Sequence, residues 1–214
     1  MDTMYKQSGT LVIQNENEKI VIEAWGNNSI RVRAVMMGEV QDTRYAFLDK
    51  PAGSDPEITI RKIETPTPMG PSYLLEATFV NGDIRVKATE ERTGVHLTFY
   101  RKDQVILDEP ETTSLRIRSR QFSPIIGGDF KLAVQFKAND GEKLYGMGQY
   151  QQELLDIKGT VLELAHRNSQ ASVPFLLSSL GYGFFWHNPS IGRATFGTNS
   201  TIWEAESTRQ MDYW

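Results

Sequence analysis

Short runs in which apolar and polar residues alternate, each closed by a glycine, asparagine, aspartate or proline turn, recur along the whole of this 214-residue chain. Ile20, Ile22 and Ala24 alternate with Val21, Glu23 and Trp25, and Ile30, Val32 and Ala34 alternate with Arg31 and Arg33. Period two of this kind describes a strand with one buried face and one wet face. Asn27-Asn28 separates these two runs as a hairpin turn, and Asn81-Gly82-Asp83 separates 73–80 from 84–89, because Asn-Gly tolerates positive φ. Lys102-Asp103 does the same between 95–100 and 104–107, and Gly127-Gly128-Asp129 between 115–118 and 131–137. Further strands are predicted at 11–13, 173–177, 182–186, 193–196, 201–205 and 211–214. No helical period lasts three turns, and the one weak case lies at 151–157. About a dozen strands with turns roughly ten residues apart predict an all-β fold, an antiparallel β-sandwich with long loops and little helix.

Proline and glycine place two surface loops, at 38–56 and at 65–71, since three prolines cannot sit inside a sheet ladder. The most informative stretch is 142–182. It holds Leu144-Tyr145-Gly146-Met147-Gly148, read as a strand ending in a glycine turn, then the amide-rich Gln149-Tyr150-Gln151-Gln152. An irregular connection through His166, Arg167, Asn168, Ser169 and Gln170 leads to the apolar strand 173–177. A long loop rich in amides and aromatics between two strands predicts a binding loop.

The formal charge of −4, with no basic stripe, excludes a phosphate-backbone partner. No apolar run approaches the roughly 18 residues of a membrane-spanning helix, so no membrane partner is expected. The chain has no cysteine, which excludes disulfides, thiolate nucleophiles and cysteine-ligated metals. That composition, with no signal-like apolar middle in residues 1–10, leads to an expected cytoplasmic location. His96, His166 and His187 are far apart with no ligand spacing, so neither metal nor cofactor is expected. Of the three, His166 is the one expected to line a pocket, while His96 reads as a strand residue and His187, beside Trp186 and Asn188, as either a site residue or a turn residue.

Glu90/Glu91, Glu109/Glu111 and Glu204/Glu206 are the carboxylate pairs close enough in sequence to suggest the two carboxyls a glycosidase needs. Neighbours on a strand point to opposite faces, and Glu204 with Glu206 reads as a solvated sheet face, so all are expected to be exposed. Gly146-Met147-Gly148 is not a phosphate cradle, because no helix opens after it. Tyr145, Tyr150, Tyr182, Phe184, Phe185 and Trp186 could stack on a sugar, but Phe184 and Trp186 read first as core.

Glu142-Lys143-Leu144-Tyr145-Gly146-Met147-Gly148-Gln149 resembles the "EkfYGlGe/q" segment near the end of the N-terminal β-sandwich of glycoside hydrolase family 31, the α-glucosidase and α-xylosidase family. Val173-Pro174-Phe175-Leu176 is similar to its "iPFl", and Gly181-Tyr182-Gly183-Phe184-Phe185-Trp186-His187-Asn188 to "kGYGvlwdN". Met211-Asp212-Tyr213-Trp214 looks like the "lDYyf" strand that leads into the catalytic barrel. The resemblance is specific over the last third and architectural before it.

It implies a galactose-mutarotase-like supersandwich, spanning 1–214 as one N-terminal domain of a retaining α-glycosidase. Both catalytic aspartates of that family lie on a following (β/α)8 barrel, so no catalytic residue is expected here and the chain alone is predicted inactive. The chain stops inside a predicted strand, and a continuation into the barrel is expected. The resemblance also implies that the 149–170 loop forms a substrate rim for an α-linked oligosaccharide, through Asn168, Arg167, His166, Gln149 and Tyr150. Asn168 stands where the family often has aspartate; it keeps an acceptor oxygen and gains an N–H₂ donor. Gln149 replaces a commoner glutamate, as in some bacterial members that include α-xylosidases. Without the barrel, Phe175, Tyr182, Tyr213 and Trp214 are expected to form an exposed apolar surface that drives self-association. The rival readings are a free-standing carbohydrate-binding module and a mutarotase-like epimerase.

Overall fold

The computed structural model describes residues 3–43, 46, 49–51, 55–67, 70–91, 93–111 and 118–214. The first strands are β1 (Met4–Gln7), β2 (Thr10–Asn15), β3 (Glu18–Ala24), β4 (Ile30–Met36), β5 (Glu57–Thr67) and β6 (Gly70–Asn81). Next come β7 (Ile84–Glu91), β8 (Gly94–Arg101), β9 (Gln104–Asp108), β10 (Arg120–Pro124), β11 (Phe130–Lys137) and β12 (Leu144–Gln149). The last are β13 (Val161–Leu164), β14 (Ala171–Ser178), β15 (Tyr182–Phe185), β16 (Gly192–Phe196), β17 (Ser200–Thr208) and β18 (Gln210–Tyr213). No helix occurs among the described residues, and the weak helical period at 151–157 is irregular chain.

Among the described residues all pairings are antiparallel, in the orders β1-β2-β3-β4-β18, β5-β6-β7-β8-β9, β10-β11-β17-β16-β13 and β12-β14-β15. The first and last of these sheets are joined edge to edge. Phe185 and Trp214 exchange both backbone hydrogen bonds (2.8 and 3.0 Å), Trp186 bridges Tyr213, and His187 N donates to Asp212 O at 3.0 Å. β18 therefore lies between β4 and the end of β15, and one layer runs from β1 to β12.

Inward residues of all four sheets form one core, including Ile20, Ile22, Val32, Phe79, Leu97, Val134, Phe136, Leu176, Phe184 and Trp203. Phe184 stacks between Trp203 and Tyr213, with centroids at 4.9 and 5.1 Å. Phe184 and Trp186 are thus core residues, as their alternation predicts.

Several expectations are corrected. Residues 65–67 and 70–71 continue β5 and β6, with Pro66 opposite Pro71. β6 pairs with β7 only from Glu76 onward. The prolines therefore sit in a projecting two-stranded ribbon, where missing N–H groups cost the sheet little. Arg31 and Arg33 do not face water: they are 0% and 7% exposed, because Gln41, Asp42 and Thr43 reach across that face of β4. Glu109 is fully buried in an ion pair with Arg120, which is itself buried; an exposed carboxylate was expected. β1, β5, β10 and β13 are additional strands. The strand expected at 115–118 lies largely outside the described residues, as does part of the 38–56 loop.

Candidate functional site

β12 is not a strand closed by a glycine turn. It runs on through a bulge between Gly146 and Gly148, and Met147 turns into the core with φ of 71°. The glycines are required by close approach: a Cβ on Gly148 would lie 2.2 Å from the Ala171 carbonyl oxygen, and one on Gly146 2.6 Å from that of Phe175. Their φ values of 95° and 98° belong to the region glycine occupies freely. The bulge re-aims the end of β12, so that Gln149 pairs with Ala171 and Tyr150 folds back over β14.

Of the five residues singled out by sequence, Tyr150 and His166 meet at Ser172, Gln149 pairs with the neighbouring Ala171, and Arg167 and Asn168 lie on the turn before β14. Tyr150 Oη lies 2.9 Å from Ser172 Oγ and donates to Glu163 O at 3.0 Å. His166 Nδ1 accepts from Ser172 N at 3.4 Å. Arg167 bridges Gln170 across a tight turn at Asn168-Ser169, with Ser169 at φ 65°. The Arg167 guanidinium pairs with Glu163 at 2.5 Å. Gln149, His166, Arg167 and Asn168 are exposed and Tyr150 is half-buried. His166 thus stands on an exposed ridge. The connection is also less open than the sequence suggests, since β13 within it pairs with β16.

Beside this turn lies an apolar face. The three strands β12, β14 and β15 read LYGMGQ, ASVPFLLS and YGFF and carry no charged residue. Val173, Phe175 and Leu177 are 51%, 42% and 48% exposed on one side, with Tyr145 opposite Leu177 and Phe185 opposite Phe175. This face opens into a groove of about 750 Å³ lined by Phe175, Tyr182, Phe185, Trp25 and Trp214. Tyr182 donates to Glu142 at 2.7 Å, and burial beside that carboxylate pushes its hydroxyl pKa far up, so it stays a donor. Tyr213, expected on this surface, is only 1% exposed and belongs to the core.

Trp25 and Trp214 of the groove also hold a buried ionic cluster that sequence reasoning did not find. Arg31 lies between Trp25 and Trp214, 5.0 and 4.5 Å from their centroids. Its guanidinium grips Asp212 through Nε–Oδ1 at 3.0 Å and Nη2–Oδ2 at 2.7 Å, and reaches Asp42 at 2.7 Å. Burial pulls the Arg31 pKa down, but the bond and charge of Asp212 more than restore it. His187 Nδ1 sits 3.1 Å from Asp212 Oδ2; it is a buried anchor rather than a turn residue. The signal available was Arg31 with Arg33, two charges set among the apolar residues of one strand.

The carboxylate pairs do not converge. Glu90 accepts from Leu75 N, whereas Glu91 faces His96. Glu204 pairs with Arg193 and Glu206 with Lys131. Among the described residues no group of three His, Asp or Glu side chains is arranged to hold a metal ion.

A model of the family described as "Glycosyl hydrolase 31 N-terminal galactose mutarotase-like domain" matches residues 19–193. The chain is 39% identical to the "Uncharacterized family 31 glucosidase ORF2" of Pseudescherichia vulneris, over 100% of this chain and 41% of that protein. It is 29% identical to "Alpha-xylosidase A" of Aspergillus niger, over 95% of this chain and 28% of that one. Among solved structures, a GH31 alpha-xylosidase from a soil metagenome, complexed with xylose, superposes with TM-score 0.84 at 37% identity, covering 100% of this chain and 32% of its own. The chain therefore spans about two fifths or less of these relatives.

Proposed function

The chain belongs to the glycosyl hydrolase 31 family, matching its N-terminal galactose mutarotase-like domain, and from that premise we propose that it is the non-catalytic β-sandwich of a retaining α-glycosidase. In this reading it forms one domain over 1–214 that packs on a catalytic (β/α)8 barrel. The 149–170 segment then forms a rim for an α-linked xyloside or glucoside.

The observation that carries the reading is the juxtaposition of an uncharged, aromatic sheet face with an exposed polar turn at its edge. A face that combines depleted charge with Tyr, Phe and aliphatic side chains has the composition of an interface core. Asn168, Arg167, Gln149 and Tyr150 beside it offer the donors and acceptors that sugar hydroxyls need. Two relatives with alpha-xylosidase names support the xyloside as substrate class.

The test is direct. The purified 214-residue chain, incubated with p-nitrophenyl α-xyloside and α-glucoside, is expected to release no p-nitrophenol; release above buffer overturns the reading. In sedimentation, the isolated chain is expected to self-associate through Phe175 and Leu177, and Phe175→Lys with Leu177→Lys to restore the monomer. A strictly monomeric wild type at high concentration counts against the docking face.

The aromatic lining of the groove favours one second reading, a carbohydrate-binding module. Saturable binding of xylo- or malto-oligosaccharides by the isolated chain, lost on Phe175→Lys, would select it.

A further inference from the structure

His96 lies on β8 with one carboxylate at each ring nitrogen. Nδ1 is 3.2 Å from Glu91 Oε1 on β7, and Nε2 is 2.8 Å from Asp108 Oδ1 at the end of β9. A neutral imidazole has one N–H and one lone pair, so it satisfies only one such contact and sets a lone pair against the other carboxylate. Both contacts are attractive only in the imidazolium.

Asp108 is the second half of the arrangement. The same Oδ1 accepts from Thr98 Oγ1 at 2.9 Å, and Oδ2 meets Lys137 Nζ at 2.7 Å. Lys137 ends β11, which belongs to another sheet. β9 is an edge strand of five residues whose pairing with β8 is interrupted by a register shift at Phe99/Tyr100. Ile106 seats β9 in the core and its carbonyl accepts from Asn139 Nδ2 at 2.9 Å, and the cluster at Asp108 adds a second fastening at the strand's C-terminal end.

We propose that His96, Glu91 and Asp108 form a proton-operated latch, closed when the ring carries both protons, that fastens β9 to β8 and, through Lys137, to the β11 sheet. Among the described residues the charged groups around the ring include Glu91 from β7, Asp108 from β9, Glu109 and Glu111 just beyond it, and Lys137 from β11. Glu109 is matched by Arg120, which leaves the remaining field at the ring dominated by carboxylates. The Asp108 hydrogen bond first of all, with the neighbouring negative charge, moves the His96 pKa up against the opposing effect of burial.

The direction follows from that. A group with a raised folded pKa contributes fully below its unfolded value, about 6.5, and loses the contribution as pH rises through the folded value. The latch is closed below the ordinary histidine value and opens as pH rises through the raised folded value. The opening equilibrium of β9 rises by a factor of about ten for each unit by which the His96 pKa is elevated.

The experiment follows the three histidines by NMR in the intact chain across pH 5–10, with hydrogen exchange of β9 amides corrected for intrinsic rates. His96 is expected to titrate above the ordinary histidine value, and β9 protection to fall through the same range. In His96→Gln that fall should vanish. Glu91→Gln and Asp108→Asn should both lower the His96 titration, Asp108→Asn by more, and they serve if His96→Gln does not fold. Titration at or below the ordinary value, a midpoint unmoved in both carboxylate variants, or an identical fall in His96→Gln would each overturn the latch.

Discussion

Asn81 and Asn28 lock two sheets together by exchanging hydrogen bonds between hairpin tips. Asn81 Nδ2 donates to the carbonyls of Gly26 and Ser29 at 2.7 and 2.8 Å, and Asn28 Oδ1 accepts from Asp83 N at 2.7 Å. Asn81 is buried, so Asn81→Ala takes the side-chain donor from the Gly26 carbonyl and leaves Ser29 O with Trp25 N alone, and is expected to cost about 1–3 kcal/mol in urea unfolding. Asn28 is exposed, and Asn28→Ala should cost about 1 kcal/mol or less.

Arg31 and Asp212 are 181 residues apart and both nearly inaccessible. Arg31→Met keeps an apolar stem between Trp25 and Trp214 but leaves Asp212 with only the His187 side of its partnership. The expected loss is about 3–5 kcal/mol by urea denaturation, since removing one partner abandons a buried charge. Asp212→Asn keeps an acceptor for Arg31 and should cost less.

Gly148→Ala tests the bulge. The added Cβ meets the Ala171 carbonyl, and φ of 95° is strained for any side chain. A destabilisation of about 1–3 kcal/mol is expected in thermal melts, with loss of the Tyr150–Ser172 contact visible as greater Tyr150 mobility by NMR.

Acid should act through Asp108. Burial raises its pKa, but hydrogen bonds from His96, Lys137 and Thr98 overcome this and bring it to about 2. A depressed folded pKa gives stability that is present above the ordinary aspartate value, about 3.9, and is lost as pH falls towards 2. Asp108→Asn is expected to flatten the stability profile over that window; an unchanged acid slope in the variant would refute the assignment.

The fold was legible where alternation is uninterrupted. β3, β4, β7, β8 and β11 carry apolar residues at every second position, and the hairpins at Asn81-Gly82 and Lys102-Asp103 follow from turn chemistry alone. The strands missed are those whose local pattern is weak. β10 is polar and ends in proline, β13 has four residues inside a polar stretch, and β5 runs into prolines it tolerates as part of a ribbon. Periodicity also separates two faces without saying what covers the second, which is why Arg31 and Arg33 were placed in water. The residues around Ser172 share a short segment and could be grouped by sequence. The cluster of Trp25, Arg31, His187, Asp212 and Trp214 depends on the pairing of β4 with β18, which no local pattern encodes.

The position of β18 has a consequence for synthesis. Arg31 leaves the ribosome 181 residues ahead of Asp212, a wait of roughly 10–40 s at about 5–20 residues per second. Throughout that interval the nascent β4 presents an open edge and a guanidinium whose principal counter-ion has yet to be translated. Chaperone occupancy and premature strand addition should therefore concentrate on the first forty residues, and codon-level pausing before residue 211 should lower the yield of folded product more than pausing after it.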